Sequence, residues 1–189
     1  MSKDLRAVWE GRHQEQRIGP PEPFVTEMLP LLPRGLALDI AAGTGRHSLL
    51  LARAGFTVDA IDFSTPAMLK LAAAAQAENL AVHPLVADLD TYPLPAAHYD
   101  TIFNTCFLDR KLVPALKRAL KIGGALLFDT FLVDQAEIGH PRNPDFLLGH
   151  YELRALLGDL EIVRYREGLT VYPNGERAWR AGTLAIRRK

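Results

Sequence analysis

A short glycine-containing loop is the part of the sequence whose residue types most clearly indicate chemistry. The apolar segment Leu36–Ile40 runs into Ala41-Ala42-Gly43-Thr44-Gly45, and a helical stretch follows over about residues 46–54. Glycines at a strand-to-helix turn let the backbone approach a ligand and expose amide donors at the helix N-terminus. We therefore expect Gly43 and Gly45 to lie against a bound ligand.

Three aspartates stand at or near the ends of successive predicted strands. Asp39 lies just before the loop, suitably placed to face an ammonium group of a ligand. Asp62 follows Gly43 by 19 residues, where a carboxylate can accept from both hydroxyls of a ribose. Asp88 ends the third predicted strand and can accept from an exocyclic amine. Each also has a purely structural interpretation, since Asp62 could cap the next helix and Asp88 could simply end a strand.

Part of this pattern also suits a nicotinamide dinucleotide. Gly43, Gly45 and Asp62 match that fingerprint, although Ser48 stands at its third glycine. Asp39 counts against it, because a dinucleotide site needs no acid at that position. A small NAD(P)-binding reductase therefore stays open as an alternative.

The elements that must position these residues alternate between strands and helices. Apolar or β-branched runs predict strands at residues 36–40, 56–62, 82–87, 99–104, 125–129, 160–166 and 179–187. Helical patterns cover about residues 46–54, 68–77, 112–121 and 151–157. Nearly continuous apolar strands indicate a parallel sheet with helices on both faces, and an Asn174-Gly175 turn indicates an antiparallel C-terminal hairpin. We therefore predict an α/β, Rossmann-like fold with a seven-stranded, mostly parallel sheet.

Composition limits the kinds of partner and compartment. The 189 residues have a formal net charge of zero, which argues against binding to nucleic acid through bulk charge. A single cysteine, Cys106, excludes an intramolecular disulfide and a cysteine-rich zinc site, and we expect no metal. The first residues do not resemble a signal peptide, and no apolar run approaches the roughly 18 residues of a membrane span. We expect a cytoplasmic protein without membrane contact, as a monomer or weak homodimer.

We expect a single domain over residues 1–189. Residues 1–34 would form an N-terminal helical cap segment. Residues 133–149 carry several Gly and Pro breakers and would form a long loop on the substrate side.

The motifs together resemble those of class I S-adenosylmethionine-dependent methyltransferases, from Leu36 to Lys189. Within that superfamily the chain is similar to the small tellurite-resistance-type methyltransferases. The residues that carry the resemblance are Leu38 to Arg46, Ala60 to Ser64, Ala87 to Leu89, Tyr99-Asp100, Leu120 to Gly124 and Asn143 to Leu148. Ala41 stands where the family loop usually has its first glycine.

The resemblance implies that S-adenosylmethionine is the cofactor and S-adenosylhomocysteine the product. Asp39 would orient the methionine amino group, and the backbone at Ala41, Gly43 and Gly45 would lie along the ligand. Arg46 would pair with the methionine carboxylate, although a surface charge on the helix is an equal alternative.

Five further residues receive roles from the resemblance. Asp62 would hold the ribose diol, and Phe63 would lie on one face of the adenine unless it is a core residue. Asp88 would accept from adenine N6, while the amide of Leu89 would donate to a ring nitrogen. Asn104 would border the methionine portion and the transferred methyl group.

The chemistry implied is in-line methyl transfer to a small-molecule acceptor, in which the protein aligns the acceptor and excludes water. No catalytic base stands out, although His47, His140 and His150 are candidates. Cys106 is more readily explained as a buried thiol than as a nucleophile. A non-catalytic S-adenosylmethionine-binding protein is a further alternative, because it would use the same binding residues.

Two segments are expected to lie near the ligand. His140 and Arg142, in residues 133–149, would help to recognise the acceptor, with Arg142 suited to an anionic one. Trp9, His13 and Arg17 would cover the cofactor from the other side.

Overall fold

A seven-stranded mixed sheet forms the centre of the protein. The computed structural model describes residues 3–188, with side chains from residue 7 onward. Met1, Ser2 and Lys189, which the predicted domain and N-terminal segment include, lie outside the described residues. The strands are β1 (Leu36–Ile40), β2 (Thr57–Asp62), β3 (Val82–Val86), β4 (Tyr99–Thr105), β5 (Leu120–Phe131), β6 (Glu161–Val171) and β7 (Arg177–Ile186).

The strand order is β3-β2-β1-β4-β5-β7-β6. Strands β1 to β5 are parallel, whereas β7 pairs antiparallel with both β5 and β6. The predicted fold, including the antiparallel C-terminal hairpin, is confirmed. Because β1 to β4 are neighbours and parallel, their carboxyl ends meet at one edge of the sheet.

Seven helices connect and cover the strands within residues 3–188. They are α1 (Lys3–Glu15), α2 (Pro23–Met28), α3 (Arg46–Arg53), α4 (Thr65–Ala77), α5 (Val113–Ala119), α6 (Gln135–Ile138) and α7 (Glu152–Leu156). Two short 3-10 helices lie at Leu29–Leu31 and Pro144–Phe146. None of the helices in the described part of the chain has the length and apolar composition needed to cross a membrane.

Both faces of the sheet are buried, because alternate residues of the central strands point to opposite sides. Leu38 and Leu126 belong to a core that includes residues of α5 and α7. On the opposite face, Phe103 and Leu127 belong to a core that includes residues of α2 and α3. This explains why the sequence shows continuous apolar strands rather than alternating ones.

The predicted helix over residues 112–121 is shorter in the structure. The helix ends at Ala119, and Leu120 already pairs with Tyr99 as part of β5. The amide of Gly123 donates to Arg187 (2.7 Å), and the amide of Arg187 donates to Gly124 (2.9 Å). The pairing of Leu120 with β4, and of the two glycines with Arg187, therefore begins the strand at residue 120, where the sequence pattern predicts the last residues of a helix.

The connection over residues 133–149 is partly structured. It contains α6 and the second 3-10 helix, and Leu132 bridges Leu148 at its two ends. The side chain of Gln135 accepts from the Trp179 amide (2.9 Å) and donates to the carbonyl of His140 (3.0 Å). The segment is thereby attached to β7.

Candidate functional site

The loop between β1 and α3 has a backbone that requires small residues. Ala41, Gly43 and Gly45 have φ angles of 50°, 55° and 86°, in the left-handed region. A Cβ atom at Gly45 would lie 2.3 Å from Cδ1 of Leu71 on α4. The loop is therefore pressed against α4, and glycine is required at position 45 by both its φ angle and its surroundings.

Asp62, at the end of β2, holds the loop in place. Its Oδ2 accepts from the amide of Gly43 (2.9 Å), and its Oδ1 accepts from the amide of Ser64 (2.8 Å). The side chain thus bonds next to the start of α4, where Ser64 Oγ caps the helix by accepting from Ala67. A carboxylate oxygen can accept more than one hydrogen bond, so both oxygens keep capacity for ligand hydroxyls.

Asp39, in β1, has a buried oxygen without a partner. Its Oδ2 accepts from Ser48 Oγ (2.6 Å), whereas Oδ1 has no hydrogen-bond partner although the residue is 1% exposed. Burial raises the pKa of Asp39 to about 7, against the hydrogen bond from Ser48. A buried, unpartnered acceptor beside the glycine loop fits a ligand that brings a positively charged donor.

Asp88 and Leu89 lie in the turn that follows β3, next to Asp62. Val86, the last residue of β3, is in register with Asp62. Oδ1 of Asp88 accepts from the Asp90 amide (3.0 Å). Asp88, Leu89 and Phe63 are all half-buried, so the structure brings Phe63, Asp62 and Asp88 to the same edge of the sheet.

Asn104 lies on the other side of the loop, in register with Ile40 of β1. It is 1% exposed, and its Nδ2 donates to the carbonyl of Phe107 (2.7 Å). The turn that follows β4 places Cys106 at a φ of 56°. Asn104 therefore shapes the turn beyond β4 as well as lining the edge near the loop.

The guanidinium of Arg46 is already engaged by other residues, so Arg46 is not simply a surface charge on the helix. Its Nη2 forms a 2.7 Å ion pair with Glu22 and lies 3.3 Å from Sγ of Cys106. Its Nη1 donates to the carbonyl of Pro20 (3.2 Å). The contact of Arg46 with a methionine carboxylate stays a prediction. To make it, the guanidinium would have to bond the ligand in addition to Glu22, or in its place.

A buried polar cluster lies beside Cys106, and sequence reasoning missed it. We call it the Arg180 cluster; its members are Glu22, Arg46, Cys106, Asp129, Tyr172 and Arg180. Arg180 is 1% exposed, and its guanidinium donates to Asp129 Oδ2 (2.9 Å) and to Cys106 Sγ (3.2 Å). Tyr172 donates to Glu22 Oε2 (2.7 Å), across 150 residues of sequence. No local motif could reveal a cluster whose members come from distant segments.

The carboxyl groups of the cluster differ, because two arginines keep Glu22 ionised whereas burial raises the pKa of Asp129. Burial by itself would raise the pKa of Glu22, but the nearby Arg180 and Arg46 guanidinium groups lower it to about 2. Burial raises the pKa of the Cys106 thiol. The cluster therefore holds an ionised Glu22 and a protonated Cys106, which gives no support to a nucleophilic role for the thiol.

His47 is neutral, and its two ring nitrogens are both engaged. The Glu22 amide donates to Nε2 (3.0 Å), so the ring proton is on Nδ1, which lies 2.8 Å from Thr105 Oγ1. Burial lowers the pKa of His47 to about 3. This arrangement argues against His47 as a general base.

The other candidate histidines are exposed. His150 lies between Glu167 (2.6 Å) and Asp134 (3.0 Å), and hydrogen bonding to Glu167 raises its pKa. His140 and Arg142 are exposed in the connection before α7. At the other side of the site, His13 of α1 is buried over Gly43, whereas Arg17 is exposed.

Comparison with known sequences identifies the same region. Residues 37–124 match the family described as "Methyltransferase domain". A malonyl-[acyl-carrier protein] O-methyltransferase of Herminiimonas arsenicoxydans is 31% identical over 110 residues, which cover 56% of this chain and 41% of the relative. TehB of Haemophilus influenzae, described as a probable S-adenosyl-L-methionine-dependent methyltransferase, is 27% identical over 139 residues. These cover 70% of this chain and 48% of TehB. The matches thus span less than half the length of these curated relatives.

Solved structures share the fold. The crystal structure of TehB from Haemophilus influenzae has a TM-score of 0.76 at 23% identity, covering 88% of this chain and 62% of the other. A geranyl diphosphate C-methyltransferase of Streptomyces coelicolor, solved with S-adenosyl-L-homocysteine, has a TM-score of 0.72 at 14% identity, covering 99% and 100%. By sequence and fold, the chain is similar to class I S-adenosylmethionine-dependent methyltransferases, TehB among them.

Proposed function

We propose that this chain binds S-adenosylmethionine at the glycine loop and transfers its methyl group to a small-molecule acceptor. The observation that carries the proposal is the buried Oδ1 of Asp39, which has no partner and lies beside the loop. A ligand ammonium would satisfy this atom and would stabilise the ionised carboxylate. A dinucleotide offers no such group at this position.

Each residue at the strand ends would contact a different part of the ligand. Asp62 would accept from the ribose hydroxyls while it keeps the Gly43 amide in place. Asp88 and the Leu89 amide would bond the adenine edge, with the half-exposed Phe63 against its face. Asn104 would border the methionine portion on the opposite side of the loop.

Bound S-adenosylmethionine supplies a methyl group activated by a sulfonium. The chain itself needs to hold the acceptor in line with the methyl carbon and to exclude water. Asn104 and the turn at Cys106 would form one wall of the space that holds the acceptor. The Arg180 cluster makes the wall rigid, because Arg46 and Tyr172 hold Glu22 and the segment before α2 against the strand ends.

We propose a small acceptor because the chain lacks the excess of positive charge that nucleic-acid binding uses. Its formal net charge is zero. The relatives do not identify the acceptor of this protein, because their names specify two different ones, a malonyl group on a carrier protein and geranyl diphosphate. We therefore assign neither of them here.

Calorimetry tests the binding half of the proposal. The protein is titrated with S-adenosylmethionine, S-adenosylhomocysteine and the oxidised and reduced nicotinamide dinucleotides. We expect binding of the two adenosyl-sulfur ligands. Binding of the dinucleotides alone would overturn the proposal in favour of a reductase.

Turnover tests the catalytic half. Formation of S-adenosylhomocysteine is followed with a panel of acceptors that present oxygen, nitrogen, sulfur or metalloid nucleophiles. Acceptor-dependent product formation supports the methyltransferase activity. Tight binding without turnover across the panel would instead favour the non-catalytic S-adenosylmethionine-binding protein.

A further inference from the structure

Helix α1 places a histidine directly over the glycine loop. His13 is 6% exposed, and its Nε2 lies 3.6 Å from the position that a Cβ atom of Gly43 would occupy. Asp62 is close enough for its charge to act on the imidazole. His13 therefore lies beside the two residues that contact the middle of the proposed ligand, although it is far from them in sequence.

One ring nitrogen of His13 has no partner. Nδ1 is buried and makes no hydrogen bond. Burial lowers the pKa of His13, so the ring is neutral and carries one N–H donor and one acceptor nitrogen. Buried polar atoms in proteins are normally satisfied, and an unsatisfied one at a ligand site indicates a partner that arrives with the ligand.

Lys70 of α4 fixes the helix that carries His13. Its Nζ donates to the carbonyls of His13 (2.8 Å), Gln14 (2.7 Å) and Gln16 (2.9 Å). These carbonyls lie at the C-terminal end of α1, where they lack partners within the helix. One ammonium group thus attaches α1 to the helix that follows Asp62, and the His13 ring is held in position before a ligand binds.

We propose that His13 is a cofactor-contacting residue, whose neutral imidazole bonds an oxygen of the bound ligand while α1 covers the glycine loop. Lys70 acts as its positioning residue. The inference rests on the proposed function and deepens it, since it makes the helix before the family-matched region part of the cofactor site. The ligand oxygen is a ribose hydroxyl or a carboxylate oxygen, both of which bond a neutral imidazole.

The test measures the dissociation constant of S-adenosylhomocysteine by calorimetry. We expect His13→Ala to weaken binding about tenfold, the value of one good hydrogen bond. Gln14→Ala is the matched control, because Gln14 is the exposed neighbour on the same helix, and we expect it to stay within twofold. Far-UV circular dichroism and thermal unfolding of each variant separate a lost contact from a lost fold, and His13→Asn replaces His13→Ala if the latter does not fold.

A second ligand identifies the oxygen. 5′-Methylthioadenosine keeps the ribose and lacks the amino-acid portion. A loss of affinity for both ligands in His13→Ala places the contact at the ribose, and a loss for S-adenosylhomocysteine alone places it at the carboxylate. Folded His13 variants that bind S-adenosylhomocysteine within twofold of the wild type would overturn the inference and leave the proposed function intact.

Lys70 provides an independent readout. We expect Lys70→Met to raise the dissociation constant of S-adenosylhomocysteine about tenfold, and Lys70→Arg to restore most of the affinity. A folded Lys70→Met variant that binds within twofold of the wild type would exclude the positioning role of Lys70. Failure of the wild-type protein to bind S-adenosylhomocysteine would overturn the proposed function and this inference together. That result is distinct from equal binding by wild type and His13 variants.

Discussion

The backbone amide of Gly43 donates a 2.9 Å hydrogen bond to Oδ2 of Asp62. The carboxylate that is proposed to hold the ribose therefore also holds the loop that lies along the ligand. One side chain connects the end of β2 to the turn after β1, and its second oxygen bonds the Ser64 amide at the start of α4. Ligand affinity and local stability should respond together when Asp62 is changed.

Asp62→Ala should weaken S-adenosylhomocysteine binding by about 30-fold, or about 2 kcal/mol, because charge-assisted bonds to the ribose are lost. The free energy of unfolding should also fall by about 1–2 kcal/mol, since the amides of Gly43 and Ser64 lose their acceptor. Calorimetry and urea denaturation measure the two effects. Asp59→Ala is the control on the same strand, because Asp59 pairs with the largely exposed His83, and its ligand affinity should not change. Unchanged affinity in Asp62→Ala would exclude the ribose role.

Asp39→Asn should stabilise the ligand-free protein and weaken ligand binding. The folded-state pKa of Asp39 is about 7, above its ordinary value, so its ionisation opposes folding and stability falls as pH rises toward 7. The amide removes this penalty, and we expect a gain of at most about 4 kcal/mol above pH 7, where the penalty is complete. S-Adenosylhomocysteine affinity should fall at least tenfold. Urea denaturation at pH 5 and pH 8 gives the comparison, and a loss of stability at pH 8 would contradict the argument.

Ligand affinity of the wild type should decrease as pH falls below 7. The ligand ammonium binds the ionised Asp39, whereas the free site holds a proton below its pKa of about 7. Ser48, Arg46 and Asp62 are the other polar or charged groups that act on this carboxyl. Binding near pH 6.5 should release a proton, detected by calorimetry in buffers of different ionisation enthalpy. Asp39→Asn should abolish the release, and an equal release in that variant would assign the proton to another group.

Gly45→Ala should destabilise the protein more than a positive φ angle alone explains. The new Cβ would lie 2.3 Å from Leu71 Cδ1, at a φ of 86°. Gly55→Ala is the matched control, since Gly55 has a φ of 90° and nothing within 4 Å of its Cβ position. We expect the free energy of unfolding to fall by about 1 kcal/mol in Gly55→Ala and by about 2–4 kcal/mol in Gly45→Ala. Ligand affinity should be lost only in Gly45→Ala. Equal effects would mean that Leu71 moves aside without cost.

Arg180→Met should lower the free energy of unfolding by about 3–5 kcal/mol. The substitution leaves the buried Asp129 without its nearest cationic partner and removes one of the two arginines that pair with Glu22. Arg188→Met is the surface control, because the Arg188–Glu161 pair is largely exposed, and its unfolding temperature should stay close to that of the wild type. Thermal unfolding measures both. A mild effect of Arg180→Met would show that the cluster admits water or relaxes around the missing charge.

The sequence by itself determined the architecture and the edge at which the ligand residues meet. Continuous apolar strands alternating with helices require a sheet that is covered on both faces, and parallel strands bring their carboxyl ends together. Asp39, Asp62 and Asp88 could therefore be placed at one edge from their positions alone. The Asn174-Gly175 turn likewise determined the antiparallel hairpin. These features depend on local pattern, which a sequence displays directly.

Only the tertiary structure decided which polar groups become partners. Glu22 and Tyr172 meet across 150 residues, and nothing in either neighbourhood indicates the other. Burial keeps the ring of His47 neutral, and the Glu22 amide donates to its Nε2. His13 lies over Gly43 on a helix that Lys70 attaches to α4. The first residues of β5 likewise pair with distant residues, Leu120 with Tyr99 and Gly123 with Arg187. Burial and long-range pairing set these protonation states and contacts, and both arise only when the chain is folded.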